Sequence, residues 1–307
     1  MKLSFAFCTY NRAKRLERLV AAMRAQTCPI PFEILAINNN SSDETAEVLA
    51  RLAELPGPKL RWVTEATQGI VSARNRAIAE AMDSDILVFI DDDEIPLPGL
   101  ISAAAHAIMN EGAECVGGRI EIDFSELGRP GWLDDEIAGF LGRLHHGSTP
   151  LWVESDATPV WSGNIAYDVR LFRNDPSLRF DQRYDRVGTG VGGGSDAAMF
   201  RTLLERKARI RYRPEMVVLH AVEEWRLKRS YFLRLHYRAG LRQGQFRLPR
   251  YPRTVLGIPP FMVSQLMNQA IQTVKLAATG KPGLVRQAMN VAHTLGSIRG
   301  YRMRKGE

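Results

Sequence analysis

Short apolar runs alternate with amphipathic stretches through the first third of the chain. Leu3-Ser-Phe-Ala-Phe-Cys8 reads as a strand ending in the polar turn Thr9-Tyr10-Asn11-Arg12. Behind it Leu16, Leu19, Val20 and Met23 recur at helical spacing, and the pattern stops before Pro29. Phe32–Ile37 predicts a second strand. Ser41-Ser-Asp-Glu44 then has the form of a capping box opening a helix to about Leu55. Leu60–Val63 predicts a third strand, Val71–Met82 a third helix, and Ile86–Ile90 a further strand. This alternation predicts an α/β protein with a mostly parallel sheet and helices on both faces. Ligands of such sheets bind beyond the carboxyl ends of the strands. Three polar clusters fall at those ends: 9–12, 38–43 and Asp91–Glu94.

Beyond residue 115 the pattern loosens. Glu114–Ile122 and Val160–Ala166 read as strands separated by loops rich in Gly, Pro and charge. The glycine run Gly188-Thr-Gly-Val-Gly-Gly-Gly194 leads into Ser195-Asp196 and a helix to about Lys207. Arg209–Leu219 predicts another strand, ending at His220. From Trp225 to Gly244 the pattern is helical and basic. After Pro249, Pro252, Pro259 and Pro260, the uncharged stretch 254–273 brings Phe261, Val263, Met267, Ile271 and Val274 near one helical face. Ser264, Gln265, Asn268, Gln269 and Gln272 interrupt it, which predicts a helix lying on protein or membrane rather than spanning a bilayer.

Charge divides the chain. Against +7 overall, sixteen Lys/Arg and one acid from Trp225 onward give the tail +15 and leave −8 for the residues before it. The tail suits an anionic partner (phosphate, lipid headgroup or nucleic acid) or is a solvated basic surface. Within it Arg226, Lys228, Arg229, Arg234 and Arg238 interleave with Trp225, Tyr231, Phe232 and Tyr237. The acidic front argues against nucleic acid, leaving an anionic bilayer or the pyrophosphate of a lipid-linked acceptor. Cys8, Cys28 and Cys115 form neither a disulfide framework nor a zinc pattern and fit a reducing cytosol. The apolar stretch after Lys2 breaks at Asn11-Arg12, too early for a secretory signal.

The acids of "FIDDDEIP", residues 89–96, repel one another unless a cation sits among them. Carboxylates suit Mg²⁺ or Mn²⁺, which use few protein ligands and share substrate phosphates. An ion here would stabilise a nucleotide diphosphate as a leaving group.

"FCTYNR" (7–12), "NNNSSDET" (38–45), "TQGIVSARNRAI" (67–78), "FIDDDEIP" (89–96) and "GGGSDAAMF" (192–200) occur in order. In combination they resemble inverting glycosyltransferases of family 2, with the A-type glycosyltransferase fold, and most of all bacterial exopolysaccharide-biosynthesis transferases. The resemblance implies a domain over 1–224 that binds a nucleotide-sugar and transfers the sugar, followed by a basic, mainly helical extension over 225–307. It places Thr9, Tyr10 and Asn11 at the nucleotide. Asn38 stands where the family usually has a uracil-contacting Asp, and Asn40 where it usually has Gly. Asp43 matches the family acid of this loop, and Arg74 an arginine approaching the nucleotide.

Asp91 and Asp93 match the family's Asp-x-Asp, with Asp93 on the metal and Asp91 reaching the ribose or the metal's water shell. Asp92 is secondary and Glu94 outward. Asp196 matches the general base, with Ser195 where Glu is usual. Trp161, Gly163 and Asn164 fall at the donor-sugar and acceptor site. His220 either completes the metal site, meets the diphosphate, or is an edge histidine. The expected reaction moves a sugar from a nucleotide diphosphate donor, UDP-linked, to a lipid-linked saccharide at the inner face of the cell membrane. The alternatives are a nucleotidyltransferase, which would need a glycine-rich phosphate loop that 7–12 lacks, and an inactive sugar-nucleotide-binding protein.

Overall fold

Strands covered on both faces need apolar side chains at consecutive positions rather than alternate ones. Leu3–Thr9 (β1) is buried at every residue, and Phe32–Asn38 (β2) and Ile86–Asp91 (β4) at all but one each. The computed structural model describes residues 1–185 and 194–304, so most of the glycine run at 188–194 lies outside the described residues. Helix α1 (Ala13–Arg24) follows β1, α2 (Thr45–Ala53) follows β2, and α3 (Ile70–Glu80) follows β3 (Leu60–Thr64). After β4 come β5 (Glu94–Pro96), α4 (Leu100–Met109) and β6 (Cys115–Asp123). Then follow α5 (Asp135–Ala138), β7 (Leu151–Val153), β8 (Asn164–Asp168), α6 (Arg170–Asn174), α7 (Ser195–Glu205) and β9 (Ile210–Ala221).

The described strands form one sheet in the order β3-β2-β1-β4-β8-β6-β9-β5, with β7 beside β9. β3, β2, β1 and β4 run parallel, β8 runs against β4 and β6, and β6 and β9 are parallel. β5 and β7 run against β9. The sheet is therefore mostly parallel and flanked by helices, as the alternation of the first 90 residues predicts.

Particular elements differ from the sequence reading. The strand expected from Val160 starts only at Asn164, because 161–163 turn and the Asn164 N–H donates to the Trp161 carbonyl at 3.0 Å. The capping box does not form: the Asp43 carboxylate, not Ser41, accepts from the Thr45 N–H at 3.1 Å, and Ser41 Oγ accepts from the Asn11 N–H. α4 has no clear signal in the sequence because Leu100, Ile101, Ala103, Ala104, Ala105, Ala107 and Ile108 are all buried, leaving Ser102 and His106 as its only polar residues.

Two compact units emerge. The first comprises Met1–Glu126 and Gly142–Ala221, the second Leu127–Leu141 and Val222–Glu307 as far as described. Leu127–Leu141, read within the first domain in the sequence, thus groups with the C-terminal helices α8 (Arg229–Arg242), α9 (Pro260–Thr279) and α10 (Leu284–Arg302). In the basic-aromatic stretch, Tyr231 and Phe232 are buried rather than presented to a ligand. A Cβ on Gly240 would run into the His293 carbonyl, and one on Gly296 into the Tyr237 carbonyl, so α8 and α10 pack backbone to backbone. No described helix is long and apolar enough to cross a membrane.

At the amino ends of the strands Glu33 gathers Lys2 Nζ at 3.1 Å, Arg61 Nη2 at 3.2 Å and Ser4 Oγ at 3.0 Å. Burial alone would raise its pKa, but these partners outweigh it and hold the carboxyl below its ordinary 4.5. A depressed folded-state value means the contribution is present above pH 4.5 and fades as pH falls through the lowered value. Glu33→Ala is expected to cost about 1–3 kcal/mol in urea unfolding at neutral pH. Its gap to wild type should narrow at acid pH; a gap independent of pH would contradict this role.

Candidate active site

Parallel pairing sets the three polar clusters side by side. Thr9 is opposite Asn38 across β1–β2, and Cys8 is opposite Asp91 across β1–β4. The loops are then tied to one another. The Asn39 N–H donates to the Thr9 carbonyl at 2.8 Å, and the Ser42 N–H to Asn11 Oδ1 at 2.8 Å. Asp43 also accepts from the Ala13 N–H at 3.3 Å, so one carboxylate serves the starts of α1 and α2. Those bonds hold its pKa below the ordinary 3.8, against the upward push of burial. Asn38 Oδ1 accepts from the Ser41 N–H at 3.1 Å. Asn40, where the family usually has Gly, sits at φ 57°, a left-handed conformation that Asn tolerates better than most residues. Tyr10 and Asn11 stand at the solvent side of these loops, while Thr9 is buried.

Asn39 was not singled out in the sequence, yet it is buried and staples the next loop. Its Nδ2 donates to the Thr67 carbonyl at 2.9 Å and its Oδ1 accepts from the Gly69 N–H at 2.8 Å. Asp185, also unsignalled, accepts from the Val71 N–H at 2.9 Å and closes the start of α3. A Cβ at Gly69, φ 146°, would fall onto that carboxylate.

α3 carries Arg74 into the centre. Its guanidinium is buried, 4% exposed, and lies 5.5 Å from the Phe180 ring. Nη1 donates to Asp196 Oδ1 at 2.6 Å and Nη2 to Asp91 Oδ1 at 3.0 Å. Burial alone would lower the Arg74 pKa; the two carboxylates outweigh it and the net shift is upward. The side chains of Asp91 and Asp196 stay 38% and 34% exposed, so the cation lies beneath two solvent-reaching acids. Arg74, expected at the nucleotide, thus has its fork spent on protein carboxylates. Cys8 next to it is a neutral thiol, pushed up to about 12 chiefly by burial.

The acidic turn divides sharply. Asp92 is raised by burial and then by the Asp93 charge. Glu94, expected to point outward, is 1% exposed instead: it begins β5, pairs in register with His220, and accepts from the Asp91 N–H at 2.8 Å. Burial, then Asp91 and Asp93, push its pKa well above the ordinary value, and from this buried position it braces the turn. Gly163 is the space that admits it, since a Cβ there would sit 2.7 Å from Glu94 Oε1. Asp93 Oδ2 lies 3.7 Å from His220 Nε2 and 3.9 Å from Arg15 Nη1.

Among the described residues no group of three His, Cys, Asp or Glu side chains stands ready to hold an ion. Asp93 Oδ2 and His220 Nε2, 3.7 Å apart, lie close enough to reach one divalent ion together. This ion class routinely takes its other ligands from phosphate and water.

The remaining expected site residues fall into the framework. Trp161 packs edge to face on Phe200 at 6.3 Å, and Ser195 begins α7 buried. Asn164 is fully buried, its Nδ2 donating to the carbonyls of Arg119 at 2.9 Å and Met216 at 2.8 Å, where β6 and β9 shift register.

Solved structures similar to the chain include the mannosyltransferase PcManGT from Pyrobaculum calidifontis in complex with GDP-Man and Mn²⁺. It has a TM-score of 0.62 at 18% identity, over 96% of this chain and 86% of that one. S. aureus TarS 1–349 in complex with UDP gives 0.54 at 15% identity, over 97% and 90%. These likenesses show the A-type glycosyltransferase fold. Residues 4–205 match the family described as Glycosyl transferase family 2, and the chain belongs to that family. Among curated relatives, glycosyltransferase AglE of Haloferax volcanii is 28% identical over 39% of this chain and 39% of its own length. The uncharacterized glycosyltransferase YwdF of Bacillus subtilis is 34% identical over 35% and 38%. The chain spans about two fifths of the length of these curated relatives.

Because Asn164 donates both amide hydrogens to buried carbonyls, Asn164→Asp replaces donor with acceptor at a dry bulge. It is expected to cost about 2 kcal/mol or more in chemical unfolding. Wild-type stability with impaired sugar use would instead put Asn164 at the substrate.

Proposed function

We propose that the protein is an inverting, metal-dependent glycosyltransferase. It moves a sugar from a nucleotide diphosphate donor, UDP-linked, to an acceptor hydroxyl on a lipid-linked saccharide of a bacterial polysaccharide, at the inner face of the cell membrane. The observation that carries this reading is the buried Arg74 holding Asp196 and Asp91 together at the carboxyl ends of the strands. Asp196 serves as general base. It takes the proton of the acceptor hydroxyl while that oxygen bonds to the anomeric carbon, and the bond to the diphosphate breaks on the opposite side. Arg74 is a positioning residue: it orients the Asp196 carboxylate without covering it.

The loops around Thr9, Tyr10, Asn11, Asn38 and Asp43 hold the nucleoside, with Asp91 and Asp92 beneath its ribose. Asp93 and His220 would hold Mn²⁺ or Mg²⁺, which when bound neutralises charge on the leaving diphosphate. The Mn²⁺ bound by PcManGT supports this assignment, as does the 3.7 Å approach of the two donors here.

A donor panel scored by nucleotide diphosphate release, with and without EDTA, tests the reaction. Release from one donor that EDTA stops is the expected result; no release from any donor would overturn it. Asp196→Asn is expected to lower turnover by about 10²–10⁴-fold while nucleotide diphosphate affinity stays near wild type. Wild-type turnover would remove Asp196 as the base. His220→Ala should raise the Mn²⁺ concentration needed for half-maximal rate; an unchanged titration would exclude it as a ligand.

A further inference from the structure

Helix α9 has two apolar faces, and only one is used. Met262, Leu266 and Gln269 face inward. Rotation about the helix axis is locked by Gln269, whose Oε1 accepts from Thr294 Oγ1 at 2.7 Å and whose carbonyl accepts from Gln287 Nε2 at 3.1 Å, both on α10. With that face fixed, Val263, Met267, Ile271 and Val274, spaced at four, four and three residues, form a stripe toward solvent. They are 42%, 60%, 50% and 68% exposed. The segment leading into the helix adds Phe246, Val255 and Leu256, exposed by 73%, 65% and 88%.

The charges around the stripe select its occupant. From Trp225 to Gly306 the chain has no Asp or Glu. Arg247, Arg250, Arg253, Lys275 and Lys281 are all exposed. The described acids of this unit are engaged elsewhere: Asp134 caps α5, Asp135 meets Arg129, Glu136 meets Arg286, Glu224 meets Lys228, and Glu223 bonds the Trp225 indole. A second copy of the chain would therefore bring cations against cations. An apolar stripe rimmed by cations with no acid matches a surface that offers acyl chains below and anionic headgroups above.

We propose that α9 and the segment before it form an interfacial anchor that lays the Val263–Val274 stripe into an anionic lipid bilayer. The anchor sits on α9, not on the basic-aromatic helix α8, whose Tyr231 and Phe232 are consumed in packing. It concerns the second unit alone and stands whether or not the transfer reaction is as proposed. Flotation of the full chain with phosphatidylcholine vesicles, with and without about one third phosphatidylglycerol, tests it at low and high salt. The chain should float with anionic vesicles, and Met267→Asp/Ile271→Asp should weaken partitioning by about tenfold or more. Arg250→Gln/Arg253→Gln/Lys275→Gln should remove most of the preference for anionic over neutral vesicles. Neither set touches a buried residue, and matching circular dichroism spectra confirm folding. Equal flotation of wild type and the aspartate variant would overturn the proposal. So would no flotation, or a concentration-dependent dimer in sedimentation that the aspartates dissolve. Nucleotide diphosphate release measured without vesicles reads the transfer reaction separately.

Discussion

A guanidinium taken out of water is costly unless carboxylates meet it, and Arg74 is met by two. That requirement organises the first unit. Asp91 reaches the pair from the end of β4, Arg74 from α3, and Asp196 from the first turn of α7. Three elements far apart in sequence are thereby brought to one point at the carboxyl ends of the strands. Removing one member would leave a buried or crowded charge without its complement, so the geometry of the turn and of Asp196 depend on each other.

The turn itself rests on a buried acid. Asp91, Asp92 and Asp93 are crowded, and the fourth acid, Glu94, is withdrawn from solvent, its pKa raised by burial and then by Asp91 and Asp93. In that state it holds the Asp91 backbone and lies beside His220, while Gly163 leaves room for it. A residue that looks idle in the sequence is the support of the site. At the opposite end of the strands Glu33 works in reverse, ionised among Lys2, Arg61 and Ser4. Surroundings, not residue type, decide the two outcomes.

Much of this was legible in the sequence. The strands of the front half announce themselves because parallel strands need continuous apolar runs, and the ordered motifs gave the family and its fold. What stayed hidden has physical reasons. α4 has only Ser102 and His106 as polar residues, β5 and β7 are three residues each, and neither length nor period marks them. The mutual bonding of Arg74, Asp91 and Asp196 joins residues up to 122 positions apart, which no local pattern encodes. Asn164 looked like a sugar-binding amide because its type and neighbourhood suited one; only the register shift between β6 and β9 reveals the carbonyls it serves. The stripe on α9 was visible as a period, but its exposure depends on which face Gln269 locks inward.

The Arg74 fork is engaged by the protein's own acids, Asp91 and Asp196, and is not left open to a nucleotide. Steady-state kinetics of Arg74→Lys together with nucleotide diphosphate titration test it most directly. The lysine keeps the charge and loses the two-armed fork. A fall in kcat of about tenfold or more is expected, with diphosphate affinity within roughly threefold of wild type. A loss of affinity in step with kcat/KM at unchanged kcat would contradict it and place Arg74 on the substrate.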